Sequence, residues 1–251
     1  MAKQKHLQID SGDVGRYVLL PGDPARCEKI ASHFSSPHEV AYNREFRTIT
    51  GELLGEKVSV VSTGIGNPSA AIAIEELKNV GADTMIRVGT SGGMQPDLIP
   101  GDLGIIQASI RDEGTTKHYM PVEFPALAHV DVVLALKDSS RILGHRSHVG
   151  ISHSKDSFYG QMDPERMPVS EYLLNRWNAW VKGGTLCAEM ESATLFTLGS
   201  IYGLRTGSIV LIAMNQGKPE LGSVSDVQTL IATAIYALQI LIHRDRKERK
   251  E

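Results

Sequence analysis

Along this chain, short runs of branched apolar residues alternate with longer stretches that carry an apolar residue every three or four positions. "RYVLL" (16–20), "VSVVS" (58–62) and "TMIRV" (84–88) read as buried strands. The first two lead into helices, because Asp23-Pro24 and Asn67-Pro68 each set a capping side chain ahead of a proline whose fixed φ suits the first helical position. Gly81 ends the second of these helices. The third strand runs instead into a long glycine-bearing loop. Further strands are expected at "GIIQAS" (104–109), "HVGIS" (148–152) and "GSIVLIA" (207–213), with helices over 130–143 and 190–203. In the last helix Leu230, Ile231, Ala234, Ile235, Leu238 and Ile242 form one apolar stripe. This alternation predicts a layered α/β fold. With 251 residues and no linker-like, repeated or low-complexity segment, one domain spanning 1–251 is expected.

Composition narrows the chemistry. The formal charge is −3, from 26 basic and 29 acidic residues, so no overall basic field exists to hold nucleic acid. Any anion must be met by local arginines. Cys27 and Cys187 are the only cysteines, too few for a disulfide scaffold or a cysteine-based zinc site, and they suit a reducing cytoplasm. The leading "MAKQKHLQID" lacks the apolar core of a signal peptide, and no apolar run approaches the roughly 20 residues of a membrane helix. A soluble, cytoplasmic protein without membrane contact is expected. The terminal "HRDRKERKE" reads as a solvated helix end.

Three glycine-rich stretches follow strands. "TGIGNPS" imitates a dinucleotide fingerprint, but Ser69 stands where the third glycine belongs and Pro68 occupies the turn. It reads as a tight turn into a helix, with backbone N–H groups open to a polar partner. "GTSGG" (89–93) spells the nucleophile elbow of a serine hydrolase, which needs a helix directly after the serine. Here "MQPDLIPGD" follows, so Ser91 is not expected to be a nucleophile. With Arg87 two residues earlier and the Thr90 hydroxyl beside the glycines, an anion-holding loop is the better reading. In "LLPGDPARCEKI", Arg26 falls in the first turn of a helix, where a cation opposes the helix dipole by a few tenths to about 1 kcal/mol. An anion seated at that helix start would remove the conflict.

Other charged and aromatic positions have plainer readings. Arg44 and Glu45 in "AYNREF" read as a surface ion pair between Tyr42 and Phe46, worth about 0–1 kcal/mol. His145, His148 and His153 lack the spacing of a zinc site and read as surface or core histidines. The loop "FYGQMDPERMP" offers Phe158 to stack on a flat ligand and Gln161 and Arg166 to bond its edge, and it is equally compatible with a packed loop. "LCAEMES" (186–192) is harder to place, because Glu189 and Glu191 flank a methionine at what looks like a buried strand-to-helix joint. Buried carboxylates need partners, so either the segment is on the surface or something sits there. Residues two apart share a side in extended chain but diverge by about 200° on a helix, so the two share a pocket only if the helix starts near Met190.

"LPGDPARCEKIA", "AYNREF", "STGIGNPS", "IRVGTSGGMQPD", "EFPALA", "SKDSFYGQ", "AEMESATL" and a leading "HLQI" together resemble the nucleoside phosphorylase-I family, in its uridine-cleaving branch, across nearly the whole chain. The resemblance implies reversible phosphorolysis of uridine to uracil and ribose 1-phosphate, a pentosyl transfer with inorganic phosphate as co-substrate and no organic cofactor. It implies phosphate binding by Gly22, Arg26, Arg87 and Thr90, with Arg44 delivered from a neighbouring subunit. Arginine's planar fork suits an oxyanion. Ribose would meet Glu189, Met190 and Glu191, with Glu191 accepting from the 2′ and 3′ hydroxyls and His6 reaching the 5′ hydroxyl from the adjacent subunit. Arg87 and Glu191 are the implied catalytic pair. Phe158 would stack on uracil, and Gln161 and Arg166 would bond its carbonyl oxygens, although "MDPE" between them makes this loop longer than in many relatives.

The same resemblance extends to purine nucleoside phosphorylases over the phosphate and ribose motifs. Those enzymes place an aspartate after the strand that here reads "IVLIA", whereas this chain has "AMNQG"; Asn215 has no titratable proton to give, which favours uridine. A related hydrolase branch lacks the three arginines that this chain retains. The implied fold is a three-layer α/β/α domain around a mixed, partly closed sheet, assembled as a hexamer, a trimer of dimers. A monovalent cation, potassium, is implied between two subunits at Glu45, Ile65 and Ser69. Loss of Arg87 is expected to weaken phosphate use far more than it destabilises the fold.

Overall fold

A computed structural model describes residues 3–248; the last three residues of the terminal charge run lie outside them. Ten strands form one mixed sheet. They are β1 (Tyr17–Leu20), β2 (Ser35–Asn43), β3 (Phe46–Leu53), β4 (Glu56–Val61), β5 (Thr84–Gly93), β6 (Leu103–Asp112), β7 (Ala126–Leu127), β8 (Ser147–Lys155), β9 (Cys187–Glu189) and β10 (Arg205–Asn215). Among the described residues seven α-helices accompany them: α1 (Pro24–Ala31), α2 (Asn67–Asn79), α3 (Val130–Ile142), α4 (Phe158–Met162), α5 (Ser170–Lys182), α6 (Ser192–Tyr202) and α7 (Gln228–Glu248). The strand order is β10-β6-β8-β9-β5-β1-β4-β3-β2, with β7 beside β6. β10 also pairs with β5 over its whole length, which closes β10, β6, β8, β9 and β5 into a ring. β1, β4, β3 and β2 extend from that ring as an open wing. The sheet is therefore mixed and partly closed.

Alternation along the strands explains the layers. In β1, Tyr17 and Leu19 join the core under α1, α3 and α7, while Val18 and Leu20 join a second core under α2 and α6. In β5, Ile86 and Val88 take the first side and Met85 the second. Apolar area is thus removed from water on both faces, at about 25 cal/mol per Å², and the predicted three-layer α/β/α arrangement results. Among the described residues no helix is long and apolar enough to cross a membrane.

Several local readings change. "GTSGG" is not a loop: β5 continues through Gly93 because β10 pairs with it as far as Asn215. Asn67 does not cap α2. Gly66 takes that position, and the buried Asn67 side chain accepts from the Thr194 hydroxyl at 2.8 Å. Asp23 does cap α1, accepting from the Ala25 N–H at 2.9 Å. The β2–β3 hairpin and α5 carry little sequence signal, since β2 has no buried position and α5 buries none of its residues. α6 begins at Ser192, two residues beyond Met190, with Glu191 at its cap.

Candidate active site

A chamber of about 750 Å³ lies over the carboxyl ends of four parallel neighbours, β4, β1, β5 and β10. Ligands of open α/β sheets bind in this position. Gly22 and Gly64 follow β1 and β4, Thr90 belongs to β5, and Met214 lies near the end of β10; all four border the chamber. β9 enters from the other side, with Ala188 opposite Gly92 and Glu189 opposite Ser154 of β8.

Arg87 is buried at the chamber wall. Its Nε lies 3.2 Å from Glu189 Oε2 and its Nη2 2.5 Å from Glu191 Oε2. Nη1 engages neither carboxylate. Gly89 makes room for this guanidinium: a Cβ there would lie 2.7 Å from Arg87 Cζ. The glycine serves close approach rather than a turn, and its φ is not positive.

The two glutamates divide their work. Glu189 Oε2 also accepts the backbone N–H of Glu191 and of Ser192, each at 2.8 Å, and Oε1 accepts from the Ser152 hydroxyl at 3.2 Å. Its side chain is fully buried. Placed against the first N–H groups of α6, it stabilises the helix start and orients Arg87. Glu191 Oε1 accepts from the Gly66 N–H at 2.7 Å, which gives the turn of "TGIGNPS" its polar partner. Burial pushes the Glu191 carboxyl above its ordinary range, and Arg87 opposes that push.

Arg26 reaches into the same space from the first turn of α1. Its Nη1 donates to the Val88 carbonyl at 3.0 Å. Burial lowers its pKa, and the neighbouring Arg87 charge lowers it further. Among the described residues it has no carboxylate partner within ion-pair distance, so two guanidinium groups face one region and only one of them is neutralised. Such an arrangement calls for an anion.

Arg44 and His6 stand elsewhere. Arg44 is exposed at the tip of the β2–β3 hairpin with φ +55°, a conformation a bulky residue adopts at a cost of order 1–3 kcal/mol. It does not pair with Glu45, contrary to the expected surface ion pair; Glu45 Oε1 instead accepts from the Ser69 hydroxyl at 2.8 Å. His6 Nδ1 lies 2.7 Å from Glu76 Oε1, and its carbonyl accepts from Asn43 Nδ2 at 2.7 Å. His6 and the residue beside Arg44 are thus in contact, on an outward edge away from the chamber. Of the expected cation trio, Glu45 and Ser69 touch, and Glu45 and the exposed Ile65 border the chamber.

Phe158 and Met190, expected at the base and at the sugar, both border the chamber, and Phe158 meets Tyr159 edge-on with centroids 5.3 Å apart. Gln161 borders an adjoining cavity of about 580 Å³ and donates to Gln216 Oε1 at 2.6 Å. Arg166 borders neither: it is exposed, pairs with Asp163 at 3.1 Å and lies over the Tyr159 ring. There the guanidinium lies against its own helical turn rather than at the chamber. Asn215 Nδ2 donates to the carbonyls of Gln95 and Leu98 at 2.9 and 2.8 Å, so its amide is committed to the scaffold. Ser91 Oγ bonds the Leu211 carbonyl at 3.2 Å with no helix behind it. His145, His148 and His153 bond three separate partners, Thr233, Asp102 and Asp112.

Lys155 and Gln216 were not singled out by the sequence. Both border the chamber and the adjoining cavity. Lys155 is only 8 % exposed, and its ammonium makes no hydrogen bond or ion pair to another described residue. Burial lowers its pKa, while Glu189 and Glu191 pull it back up. The one available signal was a lysine ending a strand, two residues from His153 on the same face.

A phosphorylase superfamily profile matches residues 16–244. A uridine phosphorylase of Treponema pallidum (strain Nichols) is 50 % identical over 244 residues, covering 96 % of this chain and 95 % of that protein. A uridine phosphorylase of Thermococcus kodakarensis is 45 % identical over 98 % of this chain and 90 % of its own length. A guanosine phosphorylase of Halorubrum lacusprofundi is 39 % identical over 86 % and 85 %. With its anion-ready arginines over the parallel strands and a family match across nearly its full length, the chain belongs to the phosphorylase superfamily.

Proposed function

We propose that the protein is a uridine phosphorylase, joining inorganic phosphate to C1′ of uridine and releasing uracil, with the whole chain acting as one catalytic domain. The observation that carries this reading is the pair Arg26 and Arg87, one without a carboxylate, in the chamber that also holds Glu191. The two uridine phosphorylase relatives support the same substrate, and the committed amide of Asn215 offers no acid to a purine ring.

Phosphate takes the place at Arg26, Arg87 Nη1, Thr90 and the backbone near Gly22. A phosphate oxygen bonds C1′ as the C1′–N1 bond breaks, and the electron pair leaves with uracil. Positive charge builds on the sugar. A carboxylate about 4 Å away contributes at most about 4 kcal/mol at an effective dielectric near 20, and Glu191 is that carboxylate. Glu189 acts through Arg87 rather than on the sugar. Uracil leaves with its charge spread over two carbonyl oxygens, and Lys155, an unpaired buried ammonium, neutralises it, while Arg166 reaches those oxygens only by leaving Asp163. Phe158 stacks on the ring, Gln161 bonds its edge, and Met190 packs on the sugar.

His6 and Arg44 complete the site of an adjacent subunit, which their shared outward edge and the left-handed Arg44 backbone support. Such dimers assemble in threes as a hexamer. Glu45, Ile65 and Ser69 hold a potassium ion between subunits, supported by the contact of the Glu45 and Ser69 side chains. Two buried, free thiols support a cytoplasmic setting. The test is uracil release from uridine with and without phosphate, beside thymidine and inosine. Phosphate-dependent loss of uridine is expected; faster turnover of inosine than of uridine rejects the proposal.

A further inference from the structure

The Gln161–Gln216 contact joins the base side of the chamber to the adjoining cavity. Gln161 Nε2 donates to Gln216 Oε1 at 2.6 Å, while Gln161 Oε1 is buried and has no partner among the described residues. A buried acceptor left unpaired is costly, so this oxygen is an open position for a ligand N–H. Gln216 is itself held in place. Its backbone N–H donates to the Gly93 carbonyl at 2.9 Å, and its Nε2 lies 3.1 Å from Met162 Sδ. Its amide lies across Gly92, where a Cβ would approach Gln216 Cδ to 2.8 Å. The fourth residue of "GTSGG" is therefore glycine because Gln216 occupies the space.

We propose that Gln216 is a positioning residue that fixes which way the Gln161 amide faces, and so makes the base site select an imide edge. The inference rests on the uridine reading given above. With one Nε2 hydrogen tied to Gln216, the other edge of Gln161 presents an acceptor beside a donor in one plane. Uracil presents N3–H beside a carbonyl, which is the complement. Cytosine presents an unprotonated N3 beside an amino group, which requires the amide reversed. Reversing Gln161 alone sets two amide oxygens against each other at the Gln216 contact. Reversing both exchanges the N–H directed at Met162 for an oxygen against sulfur. The pair thus favours uridine over cytidine.

Three variants of the full chain test this with uridine and cytidine at saturating phosphate. Gln216→Glu offers only acceptors to Gln161, so it should keep the uridine-over-cytidine ratio of kcat/KM. Gln216→Met and Gln216→Leu remove the acceptor while filling the space. Each should lower uridine kcat/KM by about tenfold, the worth of 1.4 kcal/mol, and lower the ratio with it. KM for phosphate should stay put, which separates the effect from general loosening of the fold. A ratio unchanged in both apolar variants overturns the inference, as does Gln216→Glu losing the ratio as fully as they do. A wild-type protein that fails to cleave uridine at all overturns the functional reading first, and this inference with it.

Discussion

Arg87 Nη2 lies 2.5 Å from Glu191 Oε2, while Nε of the same guanidinium holds Glu189 Oε2 at 3.2 Å. One buried cation therefore orders two buried carboxylates, and removing it strands both. The expectation that loss of Arg87 weakens phosphate use far more than it destabilises the fold must therefore also count the two carboxylates left behind. Arg87→Ala should cost about 3–5 kcal/mol, the penalty of breaking a buried pair, read as a lower urea midpoint. Arg87→Lys keeps the charge but loses the fork; it should fold and raise KM for phosphate more than tenfold. A folded Arg87→Lys enzyme with ordinary phosphate kinetics would remove Arg87 from the phosphate site.

Arg26 predicts the opposite balance. Burial and the adjacent Arg87 charge already disfavour its charged form, so the guanidinium is held there at a cost to stability. Arg26→Ala should leave the melting temperature without phosphate unchanged or higher. Because a hydrogen bond to a charged group is worth about 1.5–3 kcal/mol, KM for phosphate should rise more than tenfold. The stabilisation that phosphate gives the wild type in a thermal melt should shrink accordingly. A clear drop in the melting temperature without phosphate would mean that Arg26 is a structural residue.

Lys155 follows similar logic on the leaving-group side. Its unpaired ammonium is buried, so Lys155→Met should raise stability by about 0.5–2 kcal/mol while lowering kcat and sparing KM for phosphate. The sign with pH is fixed by the direction of the shift. Burial depresses the folded pKa below the ordinary 10.5, so between the two values the unfolded chain binds more protons and wild-type stability rises with pH. The advantage of Lys155→Met should therefore narrow toward pH 10.5, and the alkaline fall of kcat in the wild type should be absent from the variant. Equal kcat in both proteins would exclude Lys155 from the chemistry.

Asp245 ties α7 to the sheet. It accepts from the Tyr17 hydroxyl at 2.6 Å and from both Arg205 Nη atoms at 2.7 and 2.6 Å. Burial alone would raise its carboxyl, but Arg205 and Tyr17 outweigh it and hold the pKa below the ordinary 3.8. Tyr17 is pushed up to about 12, by burial first and then by Asp245. A depressed carboxylate contributes stability that is complete above the unfolded pKa and disappears as pH falls through the folded one. The gap in urea midpoint between wild type and Asp245→Asn should be full at pH 6 and close below pH 3.8. A gap that persists unchanged in acid would show that the charge is not the source.

How much of this was legible depends on what each residue touches. α7 and β1 announce themselves because their apolar periods face a core, whereas α5 buries no residue and so imposes no period on its sequence. Arg26 was readable as an uneasy first-turn cation, because local helix electrostatics is a sequence property. The division between Glu189 and Glu191 was not, since it depends on which backbone donors the chain brings to each oxygen. "GTSGG" misled for a related reason. Its glycines open space for Arg87 and Gln216, which arrive from the strand itself and from the far end of the chain, and composition alone reads them as a loop. Lys155 becomes conspicuous only once the fold buries it without a hydrogen-bond or ion-pair partner among the described residues.

The proposed sharing of sites between subunits yields the most discriminating measurement. Arg44 sits outside its own chamber with a strained backbone, beside the segment that carries His6, whereas Arg87 is inside. If each site takes Arg87 from one chain and Arg44 from its neighbour, Arg44→Ala and Arg87→Lys damage different halves of one site. In a mixed dimer, the chain that carries Arg44→Ala keeps its own Arg87 and receives an intact Arg44, so one of its two sites is whole. Random association makes half of the dimers mixed, and co-expression or joint refolding should recover about a quarter of wild-type sites in a two-fold assembly. Each variant alone should stay near its own low rate. Were Arg44 to serve its own chamber, every site in the mixture would still lack one of the two arginines, and mixing would restore nothing.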